Sequence, residues 1–385
     1  MNRPSAQDRI TRPEKPGEKL RILVRGVNWL GDAVMTTPAL LRLRERYPKA
    51  EITHLTPAKL SGLWPGHPAF DRFLTFEKNE SVWSVARRLR AERFDLAVVL
   101  PNSPRSALET WLAGIPLRVG GRWPWRNWLL TERIEPATDI VKMRKRTPAE
   151  IEDLIAGKRA PTEAPPDARS HQMNHYLRLV AALGADPKPL PPRLTVTLKE
   201  IEAVRVKHGF RPGSAWLGVN AGAEYGPAKR WPAERFAMVA DAIRQEFDCG
   251  LAVFGGLGDV ALAEELSEQL QTAAPTLRVL AGKTTLRELM AALMCCRVLL
   301  TNDTGPMHVA AALSIPVVVP FGSTSSILTG PGMPGDPQHR LIQSTAPCSP
   351  CFLRTCPIDL RCQRDISVEQ VLAEVRRAWK PLRVS

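Results

Sequence analysis

The sequence predicts an α/β chain built from two doubly wound, Rossmann-like domains that face each other across a cleft. Three observations carry that expectation. Short apolar runs alternate with amphipathic ones along both halves, as strands joined by helices do in a parallel sheet. At 385 residues the chain exceeds the ~250–300 residues at which a single core stops growing. A proline-rich bridge, "GADPKPLPPRLTV" (184–196), separates the halves and suits an interdomain linker.

In the first half, "RILVRG" (21–26) reads as a strand and "PALLRLRERY" (38–47) as a helix opened by Thr37 and Pro38. "EITHLT" and "FDRFLTF" follow, the first as a strand. "SVWSVARRLRAERF" places Val82, Val85, Ala86 and Leu89 on one helical face. "DLAVVLP" (95–101) reads as a buried strand, "SALETWLAG" as a helix and "LRVGG" as a short strand. The second half repeats the rhythm: "AWLGVNAG", "GLAVFGG", "LRVLAG", "RVLLTND" and "PVVVPFG" read as strands separated by helical segments. Thr304 to Gly335 holds no Asp, Glu, Lys or Arg, but five prolines divide it, so it predicts a buried helix, strand and loop rather than a membrane span.

The expected division is a flexible arm at 1–20, an N-terminal domain at 21–185 with an irregular basic block at 123–168, and a linker at 186–196. A C-terminal domain at 197–365 follows, then a helix at 366–385 free to pack back on the N-terminal domain. Residues 1–20 lack the apolar segment of a signal peptide, which points to a cytoplasmic chain.

Apolar residues at 44% and charged residues at 24% describe an ordinary globular protein. The 53 basic residues outnumber the 39 acidic ones by 14, a balance that favours an acidic partner: a nucleic acid, an anionic membrane or a phosphorylated substrate.

Three stretches carry chemistry. In "NDTGPMH" (302–308) an apolar strand ends at a helix whose free N–H groups form an anion site. Gly305 lets a phosphate approach the backbone and the Thr304 hydroxyl adds a donor. Asp303 would serve sugar hydroxyls, or else merely cap the helix, and His308 reads as a packing histidine. In "RGVNWLGDAVMTTPAL" (25–40) a turn with Gly31 places Asp32 at the C-terminal edge of the first sheet, as a general base or again as a cap. In "NAGAEYGPAKRWP" (220–232) small residues, Gly222 among them, leave backbone exposed beside Lys229 and Arg230. Lys229 can neutralise a phosphate, unless the loop is simply a solvated basic one.

Together "VNWLGDAVMTTPAL", "GAEYGPAKRWP", "NDTGPMHVAAAL" and "CSPCFLRTCP" resemble the lipopolysaccharide heptosyltransferase family, glycosyltransferase family 9, most of all its heptosyltransferase II branch. The resemblance spans about residues 21–380 and implies the GT-B fold, with acceptor bound by the N-terminal domain and nucleotide sugar by the C-terminal one. It further implies ADP-L-glycero-D-manno-heptose as donor and the first heptose of a phosphorylated lipid A–Kdo–heptose as acceptor, with no cofactor. By the family pattern Asp32 is the base, Lys229 contacts the donor phosphates and Asp303 contacts the donor. Thr304 and Gly305 form the diphosphate-binding turn, His308 lies beside them, and Gly222 joins the donor side. The basic block at 123–168 departs from the family pattern, and "GGLGD" (255–259) matches it only loosely.

The chemistry of the residues agrees. Glycosyl transfer needs a base for the acceptor and charge compensation for a departing diphosphate. No Asp-x-Asp occurs in the chain, so the expected catalysis is metal-independent, and direct displacement would invert the anomeric centre.

Four cysteines, Cys348, Cys351, Cys356 and Cys362, follow the spacing C-x2-C-x4-C-x5-C, a poor match to paired zinc knuckles and better suited to reduced thiols tightening a loop or to an occasional disulfide, which a reducing cytosol disfavours. His171 and His175 stand four apart without the glutamate of a zinc-protease helix, and read as ordinary histidines. Trp123, Trp125 and Trp128 with Arg122 and Arg126 form an aromatic–basic stripe that would meet lipid headgroups or an anionic acceptor, or else cover the core. "KMRKR", with Lys142 and Arg144, suits a phosphorylated glycolipid by its sign. Such a face would hold the enzyme peripherally on the cytoplasmic leaflet of the inner membrane, with no spanning segment.

Two other classes fit less well. A nucleic-acid binder would explain the charge, but the chain lacks a helix-turn-helix or zinc finger, and carboxylates at binding edges would repel a phosphate backbone. A NAD-dependent oxidoreductase would need G-x-G-x-x-G after a first strand, which neither half has.

Overall fold

Strand order explains how distant loops come to share one edge. The computed structural model describes residues 19–138, 140–159, 166–270 and 276–379; the expected arm before residue 19, part of the proline-rich turn and residues 380–385 lie outside the described residues. The chain divides into two compact units, the first holding residues up to 138 and Gln172–Thr195, the second 140–171 and everything after 195.

The first unit contains β1 (Arg21–Arg25), α1 (Leu30–Met35), α2 (Thr37–Arg46), β2 (Glu51–Pro57), β3 (Arg72–Phe76) and α3 (Val82–Ala91). β4 (Leu96–Val99), α4 (Pro104–Leu112), β5 (Leu117–Gly121) and β6 (Glu132–Ile134) follow. The six strands pair in parallel in the order β3-β2-β1-β4-β5-β6. β4 is buried along its whole length, as a central strand covered on both faces must be. α3 buries the predicted Val85, Ala86 and Leu89 against this sheet, while Val82 is only partly covered.

After β6 the chain enters the second unit with α5 (Pro148–Ile155), then returns to the first with α6 (Gln172–Ala181). The expected boundaries therefore change. Ile151 of α5 packs with Cys348 and Cys351, and Arg146 N–H donates to the Cys351 carbonyl at 3.0 Å, so the second part of the basic block is tied to the cysteine loop. α6 and the segment after it join the first unit through α2: the Tyr47 hydroxyl donates to the Leu183 carbonyl at 2.8 Å.

The second unit continues with α7 (Leu198–His208), β7 (Trp216–Asn220), α8 (Ala233–Phe247), β8 (Gly250–Val253), α9 (Val260–Gln269) and β9 (Leu277–Val279). α10 (Leu286–Leu293), β10 (Val298–Thr301), α11 (Gly305–Ala312), β11 (Val317–Phe321), β12 (Arg340–Gln343) and α12 (Val368–Trp379) follow, with single helical turns at Ser326–Thr329 and Arg361–Arg364. Its parallel order, β12-β11-β10-β7-β8-β9, has the same topology as the first sheet. α12, expected to be free to pack back on the first half, is part of the second unit: Val371, Val375 and Trp379 enter the core of the second sheet, and Trp379 stacks on Phe247 at 5.1 Å between ring centroids. Burying that apolar stripe on the nearest sheet is what its amphipathic pattern requires.

In each sheet the order reverses once, between β1 and β4 and between β7 and β10. Loops leaving those strands at their C-terminal ends border the crevice where open α/β sheets bind ligands.

Candidate functional site

In the first unit Asp32 follows β1. Gly26, the residue after that strand, passes close under His54, where a Cβ would lie 2.6 Å from the imidazole and 3.0 Å from the Leu55 carbonyl. Helix α1 then begins one residue before Gly31, so Gly31 lies in the first helical turn and not in a preceding turn as its sequence context implied. Trp29 occupies the cap position and makes no side-chain cap bond, which removes the reading of Asp32 as an N-cap. The Asp32 carboxylate is half-buried and its Oδ1 accepts from the Tyr176 hydroxyl at 3.1 Å. Tyr176 is buried on α6, and burial first, then the Asp32 charge, pushes its phenol well above the ordinary value. It therefore remains a donor. Gln172 Nε2 donates to the same hydroxyl at 3.3 Å. Trp29 stands half-exposed beside this acid with the Lys59 ammonium 5.5 Å from its ring.

Beneath the same edge lies a buried ion pair. Arg25 Nε donates to Glu109 Oε2 at 2.8 Å, and the guanidinium covers the Phe76 ring at 4.2 Å. It braces the end of β1 against α4.

In the second unit Asp303 follows β10 and Lys229 follows β7, the two strands at the order reversal. Thr304 takes the cap position of α11 without a side-chain bond. The Asp303 carboxylate, nearly fully buried, is not a cap either: its Oδ2 accepts from Lys229 Nζ at 2.6 Å and from Thr324 Oγ1 at 2.7 Å. Gly305 is the first residue of α11 and His308 is buried one turn on. Burial lowers the His308 pKa to about 4, against the opposing pull of Asp303, so the imidazole is neutral near pH 7.

Asn302 locks the two loops together. Its Oδ1 accepts from Trp231 N–H at 2.9 Å and its Nδ2 donates to the Ala221 carbonyl at 2.6 Å. Gly222 is bare for a structural reason, since a Cβ there would meet the Asp259 carboxylate at 2.4–2.6 Å. The cysteine loop supports Lys229 from behind. Gly226, at φ 156°, lies against the Arg354 carbonyl, Ala228 N–H donates to that carbonyl at 3.1 Å, and Gln363 Nε2 donates to the Ala228 carbonyl at 2.8 Å. All seven cysteines are free thiols, and among the described residues no group of three or more His, Cys, Asp or Glu side chains is placed to hold a metal.

The basic residues expected at an acceptor or lipid behave differently from one another. Arg126 is fully buried and its guanidinium donates to the Pro101 carbonyl, so it supports its loop from inside and cannot touch a surface. Arg122 pairs with Glu135 at 2.5 Å and Arg144 with Glu150 at 3.0 Å, while Lys142 is exposed. His171 Nε2 donates to the Gly330 carbonyl, 3.0 Å away, and belongs to the second unit; His175 belongs to the first.

Sequence reading missed Tyr176, Thr324 and Asn302. Only Asn302 carried a local signal, its place beside Asp303 at a strand end.

The family model for glycosyltransferase family 9 (heptosyltransferase) matches residues 158–361. The lipopolysaccharide heptosyltransferase 2 of Escherichia coli strain K12 is 32% identical over 324 residues, covering 81% of this chain and 85% of that protein. The lipooligosaccharide heptosyltransferase 2 of Haemophilus influenzae is 29% identical over 318 residues, covering 81% and 86%. Among solved structures, the E. coli ADP-heptose LPS heptosyltransferase II superposes with a TM-score of 0.74 at 28% identity, covering 94% of this chain and 98% of that one. With two doubly wound sheets and this likeness, the fold class is GT-B. The chain belongs to glycosyltransferase family 9, the heptosyltransferases.

Proposed function

We propose that this chain transfers L-glycero-D-manno-heptose from ADP-heptose to the first heptose of the lipopolysaccharide inner core, with inversion at the anomeric carbon. The observation that carries this reading is the Lys229–Asp303–Thr324 cluster at the order reversal of the second sheet, beside the first amides of α11. Such a cluster offers both things a nucleotide sugar demands, cationic and N–H donors for phosphate and a carboxylate for sugar hydroxyls.

In the proposed reaction Asp32 takes the proton of the acceptor hydroxyl as its oxygen attacks the anomeric carbon. The bond from that carbon to the diphosphate oxygen breaks as the new glycosidic bond forms. Negative charge developing on the departing ADP is met by Lys229 and by the Thr304–Gly305 backbone. Tyr176 holds Asp32 by donating to its Oδ1, and Asp303 orients both Lys229 and the sugar.

Mass analysis of products from ADP-heptose and truncated core acceptors tests the reading, and addition of one heptose is the expected result. Asp32→Ala should abolish turnover while ADP-heptose still binds; an active Asp32→Ala enzyme would remove the base from that position. Because the chain has no Asp-x-Asp, turnover should persist in chelator. Among the described residues no helix is long and apolar enough to cross a membrane, and we place the enzyme peripherally on the cytoplasmic face of the inner membrane.

A further inference from the structure

We infer that the tryptophan-bearing loop between β5 and β6, together with the end of α4, is a docking face for an anionic phospholipid bilayer. The inference deepens the proposed function, whose acceptor is anchored in lipid, by assigning the part of the chain that meets the membrane.

Four indoles crowd this face: Trp111 is 42% exposed, Trp123 52%, Trp125 87% and Trp128 64%. Trp111 and Trp128 meet edge to face at 5.6 Å between centroids, so the patch is continuous from α4 into the loop. Most large apolar side chains of a folded chain are withdrawn from water, and a cluster of exposed ones marks a contact surface.

The loop is built to hold them outward. Asn127 Oδ1 accepts from Trp123 N–H at 3.0 Å, Arg118 Nε donates to the Leu129 carbonyl at 2.7 Å, and Leu129 and Leu130 are sunk into the core. Inside, the buried Arg126 guanidinium ties the loop to the Pro101 carbonyl. Trp125 adopts φ 66°, the left-handed region, which costs a residue with a Cβ roughly 1–2 kcal/mol. The most exposed indole thus sits on a left-handed backbone.

Chemistry selects lipid as the occupant. Indoles favour the headgroup level of a bilayer, where one side of the ring is apolar and the N–H is wet. Around the loop the exposed Arg122 and Arg133 balance Glu132 and Glu135, and α3, packed beside α4, adds exposed Arg87, Arg88 and Arg90 with a further exposed indole at Trp83. That charge suits an anionic surface. It opposes a second copy of this chain, whose net charge is also +14.

The test compares the full-length protein with the triple variant Trp123→Ser/Trp125→Ser/Trp128→Ser. Both are sedimented with vesicles of phosphatidylethanolamine and phosphatidylglycerol, and with neutral phosphatidylcholine vesicles. The wild type should bind the anionic vesicles, weakly at high salt, and the variant should lose about tenfold or more of that partition. Transfer to a deacylated, water-soluble acceptor should be unchanged in the variant, which also shows that it folds. Equal vesicle binding by the two proteins, or no binding by the wild type, would overturn the inference. So would loss of transfer to the soluble acceptor in a variant with unaltered melting, which would make these indoles sugar contacts, or a wild-type dimer that the variant dissolves. If neither protein transfers heptose yet binding still depends on the tryptophans, the proposed function fails and the docking face stands.

Discussion

The Tyr176 hydroxyl donates to Asp32 Oδ1 at 3.1 Å, joining residues 144 positions apart on α6 and α1. A hydrogen bond to an ionised carboxylate contributes about 1.5–3 kcal/mol and fixes the direction of its free lone pairs. Tyr176→Phe should therefore lower kcat by about 10- to 100-fold with little change in donor KM. Removing a donor from the charged form also favours protonation, so the acid limb of the rate profile should move to higher pH. A variant with lowered kcat and an unmoved acid limb would assign Tyr176 to packing alone.

Lys229 shares Asp303 Oδ2 with Thr324. If this ammonium meets the donor diphosphate, Lys229→Ala should weaken ADP binding by about 10- to 100-fold, the scale of a charge-assisted bond. Titration calorimetry with ADP reads this directly, and Thr324→Val should weaken it less, since the salt bridge survives.

Arg25 and Glu109 are both withdrawn from water, and Glu109 Oε1 also accepts from the half-exposed Arg105 at 2.9 Å. Glu109→Ala leaves a buried guanidinium without its counter-charge and should cost about 3–5 kcal/mol in urea unfolding. Arg105→Ala should cost about 0–1 kcal/mol, because that pair is solvent-screened.

Burial lowers the pKa of His54 to about 3, with His67 and Arg25 adding to the effect, and that of His308 to about 4. An unfolded histidine titrates near about 6.5, so below that pH the unfolded chain binds more protons than the folded one. Stability should be fully present above about pH 6.5 and fall as the pH drops toward 4, by up to about 1.4 kcal/mol per unit for each of these histidines. Urea midpoints between pH 7 and 5 measure the slope. The double variant His54→Gln/His308→Gln should flatten it, whatever its starting stability.

The alternation of strands and helices was legible in the sequence because strand and helix periodicities are local. So β1, β4, β7, β10 and β11 fall where apolar runs placed them, Asp303 stands just past a strand end and Asp32 lies in the first helix after β1. β6 and β12 were not legible: at three and four residues, partly buried and carrying charged side chains, they lack an apolar run. α5 was hidden inside a charged and proline-rich block, although its Thr147–Glu150 capping box is a local signal.

Composition and local pattern thus determined the class, two doubly wound halves with an acid at the mouth of each. Tertiary structure alone decided which residues serve those acids. Nothing near Asp32 in sequence names Tyr176, and nothing near Asp303 names Thr324, because each partner arrives on an element placed by strand order. Charge on paper likewise did not decide exposure: Arg126, one of a row of arginines and tryptophans, is buried while its neighbouring indoles face water. Burial is a property of the whole packed chain, set by where every other side chain finds room, and a run of residue types cannot encode it on its own.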